Sequence, residues 1–223
     1  MRVALLRSAV TLLCAARFSG FGLALAAFAV CPGGVPEAAA APASVEPQAV
    51  GRLNHAGYSQ RRHCTFFAIA PKVALTAVHC VGDLPPEEIH LLYGYARMTW
   101  VAQGAVEAMV PVGFDMMALC LADAAPATLD IGSFSAIEAP VRVVGYAIPK
   151  AHVLNVNSCR AAGQMVPDAL MIDCAAPQGM SGGPVVDDAG RAVGVVSLSG
   201  PQSAIAEAIP DWAAEACDGE PPR

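Results

Sequence analysis

A chain of 223 residues with 55% apolar and only 14% charged residues has material for a packed core, in one domain or two small ones, and does not have the composition of a disordered protein. A formal net charge of −6 and a pI near 5.3 supply no basic surface for a phosphate backbone, so nucleic acid is excluded as an expected partner.

The chain begins like an export signal. Arg2 and Arg7 precede an almost wholly apolar stretch, and Ala27-Phe28-Ala29 offers small residues for cleavage, so residues 1–29 are read as a signal peptide. The uninterrupted apolar run from Phe18 to Val30 falls short of the ~20 residues of a spanning helix, so no stable membrane insertion is expected once the signal is removed. Val30 is too bulky to favour lipid modification of Cys31. Residues 30–48, rich in Ala, Pro and Gly, read as a flexible leader. The expected location is secreted or periplasmic.

Beyond the leader the pattern is one of short strands. TFFAIA and VALTAV flank Pro71-Lys72, and EEIHLLYGY alternates polar with apolar residues. APVRVVGYAIP, ALMIDC, GPVVDD and RAVGVVSL are β-branched runs bounded by Gly, Pro and Asp. VVDDAGRAVGVV reads as a hairpin turning at Asp187 to Gly190. Only 210–218 has a helical pattern, with Pro210 at its start and Gly219 past its end. This order of elements predicts an all-β protein, a sandwich or barrels, with one terminal helix.

Eight cysteines, none in a C-x-x-C pair, give no support for a structural zinc site, and no metal or cofactor is expected. Loss of the leader removes Cys14 and Cys31 and leaves an even set. Cys64 and Cys80 are 16 residues apart, and Cys174 is read with a partner at the same separation, at position 158. As disulfides, each would close a loop worth about 3 kcal/mol of chain entropy.

Ser181 stands in GMSGGPVV, among residues without a Cβ that allow unusual backbone angles and close substrate approach. A hydroxyl that attacks a carbonyl needs a base, a group that orients the base, and donors for the developing oxyanion. His79 in LTAVHC is the candidate base. Asp115 in GFDMMALCL is the candidate acid, with Asp123 and Asp130 as alternatives. His55, His63, His90 and His152 occupy polar or loop-like contexts and are read as surface residues. A neutral base predicts a rate that falls as pH drops through about 6 to 7.

CTFFAIAPKVALTAVHC, DMMALCL and GMSGGPVV, in this order, resemble the trypsin-like (chymotrypsin-fold) serine proteases, particularly the bacterial secreted type, over about Val50 to Trp212. The resemblance implies two six-stranded antiparallel β-barrels, at 49–130 and 131–209, with a helix at 210–218 packed on them. It implies a catalytic triad of His79, Asp115 and Ser181, an oxyanion hole from the N–H groups of Gly179 and Ser181, and a hydrogen bond from Ser197 to the acid. Substrate would be bound by Ala175, Gln178, Ser197, Leu198 and Ser199. The activity implied is hydrolysis of peptide bonds in protein or peptide substrates through an acyl-enzyme, by a monomer. The alternative is a protease-like scaffold that binds peptides with little or no turnover.

Met180 departs from the digestive members, which carry an aspartate there to pair with a new N-terminal ammonium. The oxyanion loop is therefore expected to be held by packing of Met180. Ala175, six residues before Ser181, carries no charge for Arg or Lys, so an apolar or small residue before the cut is expected, with a cationic residue the alternative that nearby Asp173 leaves open. Alternation places Met117, Leu119 and Leu121 on one strand face and Cys120 on the other, where the family packs its terminal helix. A Cys120–Cys217 disulfide is expected there.

Overall fold

The computed structural model describes residues 44–55, 63–134, 138–166 and 168–219. The expected signal peptide, and the leader as far as residue 43, lie outside the described residues. Among the described residues, no helix is long and apolar enough to cross a membrane.

Seven strands form the first sheet: Val50–His55 (β1), His63–Ala70 (β2), Val73–Ala77 (β3), Ile89–Tyr93 (β4), Ala102–Gly104 (β5), Val106–Pro111 (β6) and Met116–Leu121 (β7). They pair antiparallel in the order β5-β4-β1-β2-β3-β7-β6, a half-barrel rather than the closed six-stranded barrel expected. The second sheet does close. Pro140–Gly145 (β8), Asn155–Val166 (β9), Ala169–Ile172 (β10), Pro184–Val186 (β11), Ala192–Leu198 (β12) and Ala204–Ala208 (β13) form a six-stranded barrel. The hairpin β11–β12 turns at Asp187 to Gly190 as the sequence indicates, closed by Asp187 N–H to Arg191 O at 3.0 Å.

The unbroken apolar run of β2 has a physical reason. Phe66 and Ala68 point into the first sheet's own core with Leu91, Tyr93 and Leu119. Phe67 and Ile69 point the other way, into a core shared with Val144, Val186 and Val195 of the second barrel. A strand buried on both faces loses the polar-apolar alternation of a half-buried strand. The two halves are thus joined by a common apolar layer, which also takes in Ile209, Ala213 and Ala216 of the C-terminal segment.

That segment is shorter than expected: Asp211–Glu215 is a five-residue 3₁₀ helix, not a helix over 210–218. It is held by packing and by the Cys120–Cys217 disulfide, so it needs no long helical hydrogen-bond ladder. The other bridges are Cys64–Cys80 and Cys159–Cys174. Here the sequence expectation is one residue out. Position 158 is Ser158, exposed, while Cys159 is buried on the opposite face of β9, so the separation is 15 and the two short loops differ in length.

Candidate active site

His79 sits in the one-turn helix Val78–Val81 (α1) that follows β3. Gly82 at φ +53° ends the turn, donating to Val78 O at 2.8 Å. Asp115 directly precedes β7, beside β3, and the two residues lock together through backbone and side chain. Val78 N–H donates to Asp115 O at 3.1 Å, and His79 N–H donates to Asp115 Oδ1 at 3.0 Å. The imidazole Nδ1 lies 2.8 Å from Asp115 Oδ2 and 3.1 Å from Oδ1. An ionised carboxylate only accepts, so Nδ1 carries the proton and the neutral ring leaves Nε2 as an acceptor, the state a general base requires. The His79 side chain is 46% exposed and that of Asp115 14%.

Ser197 of β12 donates to Asp115 Oδ2 at 2.5 Å from across the molecule. Burial by itself would raise the Asp115 carboxyl. The hydrogen bonds from the His79 ring, Ser197 and the His79 backbone, with the charge of His79, outweigh it and hold the group below the ordinary carboxylate range.

The nucleophile loop is built from glycines for steric reasons. At Gly179, φ +96°, a Cβ would lie 2.3 Å from Tyr146 O and 2.6 Å from His63 Nε2. At Gly182, φ +78°, it would lie 2.3 Å from both Thr65 O and Thr76 Oγ1. Gln178 C=O accepts from Ile148 N–H at 2.7 Å, so the trans peptide directs the Gly179 N–H the opposite way. Met180 is fully buried among Val143, Ala176, Val185 and Val196. An apolar side chain packed in the barrel core thus anchors the loop directly before Ser181.

Ser181 is 8% exposed, and its hydroxyl is hydrogen-bonded to Ser199 Oγ at 2.9 Å. Among the described residues no hydrogen bond joins Ser181 to His79, whose ring bonds only to Asp115.

Several residues that sequence reasoning passed over hold this arrangement. Thr65 is fully buried, and its backbone N–H donates to Ser181 O at 2.9 Å. Its hydroxyl donates to Gly179 O at 2.8 Å and accepts from Tyr146 N–H at 2.9 Å. Thr76 Oγ1 donates to Thr65 O at 2.9 Å. Glu207 of β13 accepts from Phe114 N–H at 2.5 Å and Asp115 N–H at 2.8 Å. For Thr76 and Glu207 the sequence signal is a lone polar residue inside an otherwise apolar strand.

One histidine is corrected. His63, expected at the surface, is 7% exposed and contacts Tyr146 O through Nε2 at 2.7 Å, behind Gly179. Burial lowers its pKa, against the opposing effect of that hydrogen bond and with smaller contributions from the charges of Arg52 and His152. It heads β2, and the strand carries it inward. Asp123 and Asp130 are exposed and make no bond to His79.

Of the expected substrate-binding residues, Leu198 is 58% exposed and Ser197 borders a cavity of about 730 Å³ with Phe114, Ile205, Glu207 and Trp212. Gln178 is exposed, and Ala175 O accepts from Asn157 Nδ2 at 2.9 Å. Asp173 lines a different cavity, with Ser158 and Arg160. Cys64, His79 and Cys80 bring ligand atoms within 4.8 Å of one another, but both sulfurs are consumed by the disulfide, so this cluster offers no thiolate to a metal.

The described residues thus combine a closed barrel, a half-barrel, a histidine–carboxylate pair and a serine flanked by glycines. Residues 64–195 match the family model of the trypsin-like peptidase domain, more than half of the chain, and the chain belongs to that family. Solved structures of the same fold include the Rv3671c protease of M. tuberculosis in its active form, at 18% identity and TM-score 0.64, over 79% of this chain and 84% of that one. The serine endoprotease from Yersinia pestis matches at 19% identity and TM-score 0.60, over 73% and 59%. The secreted serine protease VesC from Vibrio cholerae matches at 18% identity and TM-score 0.61, over 75% and 45%. No curated protein matches the chain.

Proposed function

We propose that this serine peptidase is an exported endopeptidase that cleaves protein or peptide substrates with Ser181 as nucleophile, His79 as base and Asp115 as the group that orients and stabilises the imidazole. The observation that carries the reading is the Ser197–Asp115–His79 hydrogen-bond chain, which leaves Nε2 as the one ring nitrogen able to accept a proton. In the first step the Ser181 hydroxyl turns from Ser199 to Nε2 and gives up its proton as its oxygen attacks the carbonyl carbon. The carbonyl electron pair moves to oxygen, where the N–H groups of Gly179 and Ser181 receive it. His79 then protonates the leaving amine, and water, deprotonated by His79, hydrolyses the resulting ester.

Both halves of the site come from one chain, which supports a working monomer. The uncharged Ala175 favours an apolar or small residue before the cut, and the cavity beside Phe114 and Leu198 offers apolar surface to an extended substrate. Three disulfides support an oxidising location, secreted or periplasmic, in keeping with the signal-like start.

The Ser181–Ser199 bond favours one competing reading, a scaffold whose serine stays disengaged. A fluorophosphonate probe separates the two. Covalent labelling of wild type that disappears in Ser181→Ala and His79→Ala supports the peptidase, and wild type that resists labelling at millimolar probe refutes it.

A further inference from the structure

Taking the triad reading as its premise, we infer that Glu207 is a positioning residue for the catalytic acid. The carboxylate belongs to β13, where Ala204 and Ala206 face the barrel core, so Glu207 faces outward, away from it. There it meets the loop between β6 and β7. Each carboxylate oxygen takes one backbone N–H: Phe114 at 2.5 Å and Asp115 at 2.8 Å. Two parallel bonds to a charged acceptor fix orientation as well as position, which a single neutral bond does not.

The consequence falls on Asp115. Its carbonyl is held by Val78, its carboxylate by His79 and Ser197, and its N–H by Glu207. Val78 and His79, in the helical turn after β3, belong to the same half of the molecule as Asp115. Ser197 and Glu207 reach over from the other barrel, one to the side chain and one to the main chain. Without Glu207 the N–H groups of Phe114 and Asp115 would lose their acceptor, and the main chain before Asp115 would depend on the bonds of Val112 and Gly113 N–H to Met116 O, at 3.0 and 3.3 Å. Phe114, 98% exposed, contributes no packing.

Gly113 supports the assignment independently. A Cβ there would lie 2.1 Å from Glu207 Oε1 and 2.7 Å from its carboxyl carbon, and the three nearest atoms all belong to Glu207. The backbone at Gly113 is not in the left-handed region, so what a side chain there would disturb is the seat of the Glu207 carboxylate and not the turn.

The test uses full-length protein and two readouts. One is hydrolysis of a peptide p-nitroanilide with an apolar residue before the scissile bond. The other is the downfield proton resonance of His79 Nδ1–H, which reports the His79–Asp115 bond whether or not the protein turns over substrate. Glu207→Ala is expected to lower kcat by about 10- to 100-fold, since small misplacements of catalytic groups have such effects, with KM within about threefold, and to broaden the resonance away. Glu207→Gln keeps an acceptor oxygen and recovers part of both. Gly113→Ala expels the carboxylate and reproduces the loss, and adds less than about twofold in the Glu207→Ala background. An unchanged resonance in Glu207→Ala overturns the inference, as do losses from Gly113→Ala and Glu207→Ala that simply multiply. Wild-type protein that fails to label or cleave refutes the peptidase reading instead, while the resonance still decides Glu207.

Discussion

The two halves of the molecule solve opposite problems. The half-barrel carries His79 and Asp115 on its rim, where the imidazole stays wet, whereas the closed barrel carries Ser181 on a buried, glycine-rich loop. Each half holds a proposed reacting group of the other. Thr65 of the half-barrel binds Ser181 O and Gly179 O, and Ser197 and Glu207 of the closed barrel bind Asp115. The site is therefore a property of the joint between the halves, and relative movement of the halves would disturb both partners together.

The largest break comes from the reacting groups themselves. Ser181→Ala or His79→Ala should each cost on the order of 10⁶ in kcat for peptide hydrolysis, and Asp115→Asn about 10⁴ by presenting the wrong imidazole tautomer. Activity retained in Ser181→Ala would place the nucleophile elsewhere. Next comes the long staple. Replacing Cys120 and Cys217 by serine opens a loop of 97 residues and should destabilise by nearly 5 kcal/mol on the chain-entropy estimate, read by denaturant unfolding. Either short disulfide should cost about 3 kcal/mol, so equal losses for all three would contradict a loop-entropy origin.

A sharper cut at the joint is Thr65→Val, which keeps shape and removes only the hydroxyl. It strips Gly179 O and Tyr146 N–H of a buried partner and should cost about 2–4 kcal/mol, with a fall in kcat that exceeds any change in KM. Wild-type unfolding energy and kcat in that variant would mean that the oxyanion loop holds its own shape.

The smallest effect is in pH. His63 has a lowered pKa, so between its ordinary value of 6.5 and its folded value the unfolded chain binds the proton in preference. Its contribution is intact above pH 6.5 and is lost as pH falls below it, down through the folded value. Asp115, also lowered, adds stability above the ordinary carboxylate range that is lost only in stronger acid. Thermal melts should therefore decline in two stages, and His63→Gln, which keeps a donor for Tyr146 O, should remove the upper one. A single acid transition in wild type would argue against it.

The proposed site is drawn largely from residue order. His79, Asp115 and Ser181 each stand in a short motif whose neighbours have a local job: the glycines avoid collisions at Thr65, Thr76 and Tyr146, and Met180 fills the closed barrel's core. Alternation in β7 correctly separated Cys120 from Met117, Leu119 and Leu121, because the side-chain period of a strand is fixed by its backbone. Elements without such a period were missed. The open edge of the first sheet involves β5, three residues with no apolar pattern, and the terminal helix shrank to a five-residue 3₁₀ helix because packing holds it.

What sequence by itself determined is the chemistry available: a hydroxyl, an imidazole and a carboxylate, each set where the backbone signals a strand end or a tight turn. Only the tertiary structure decided who supports whom. Thr65 and Glu207 look like ordinary strand residues until the halves meet, and His63 looks like a polar surface group until β2 carries it beneath Gly179. Local pattern encodes backbone period and turn type, but a hydrogen bond between residues some 80 to 115 positions apart, such as Ser197 to Asp115 or Thr65 to Gly179, exists only once two sheets share a core.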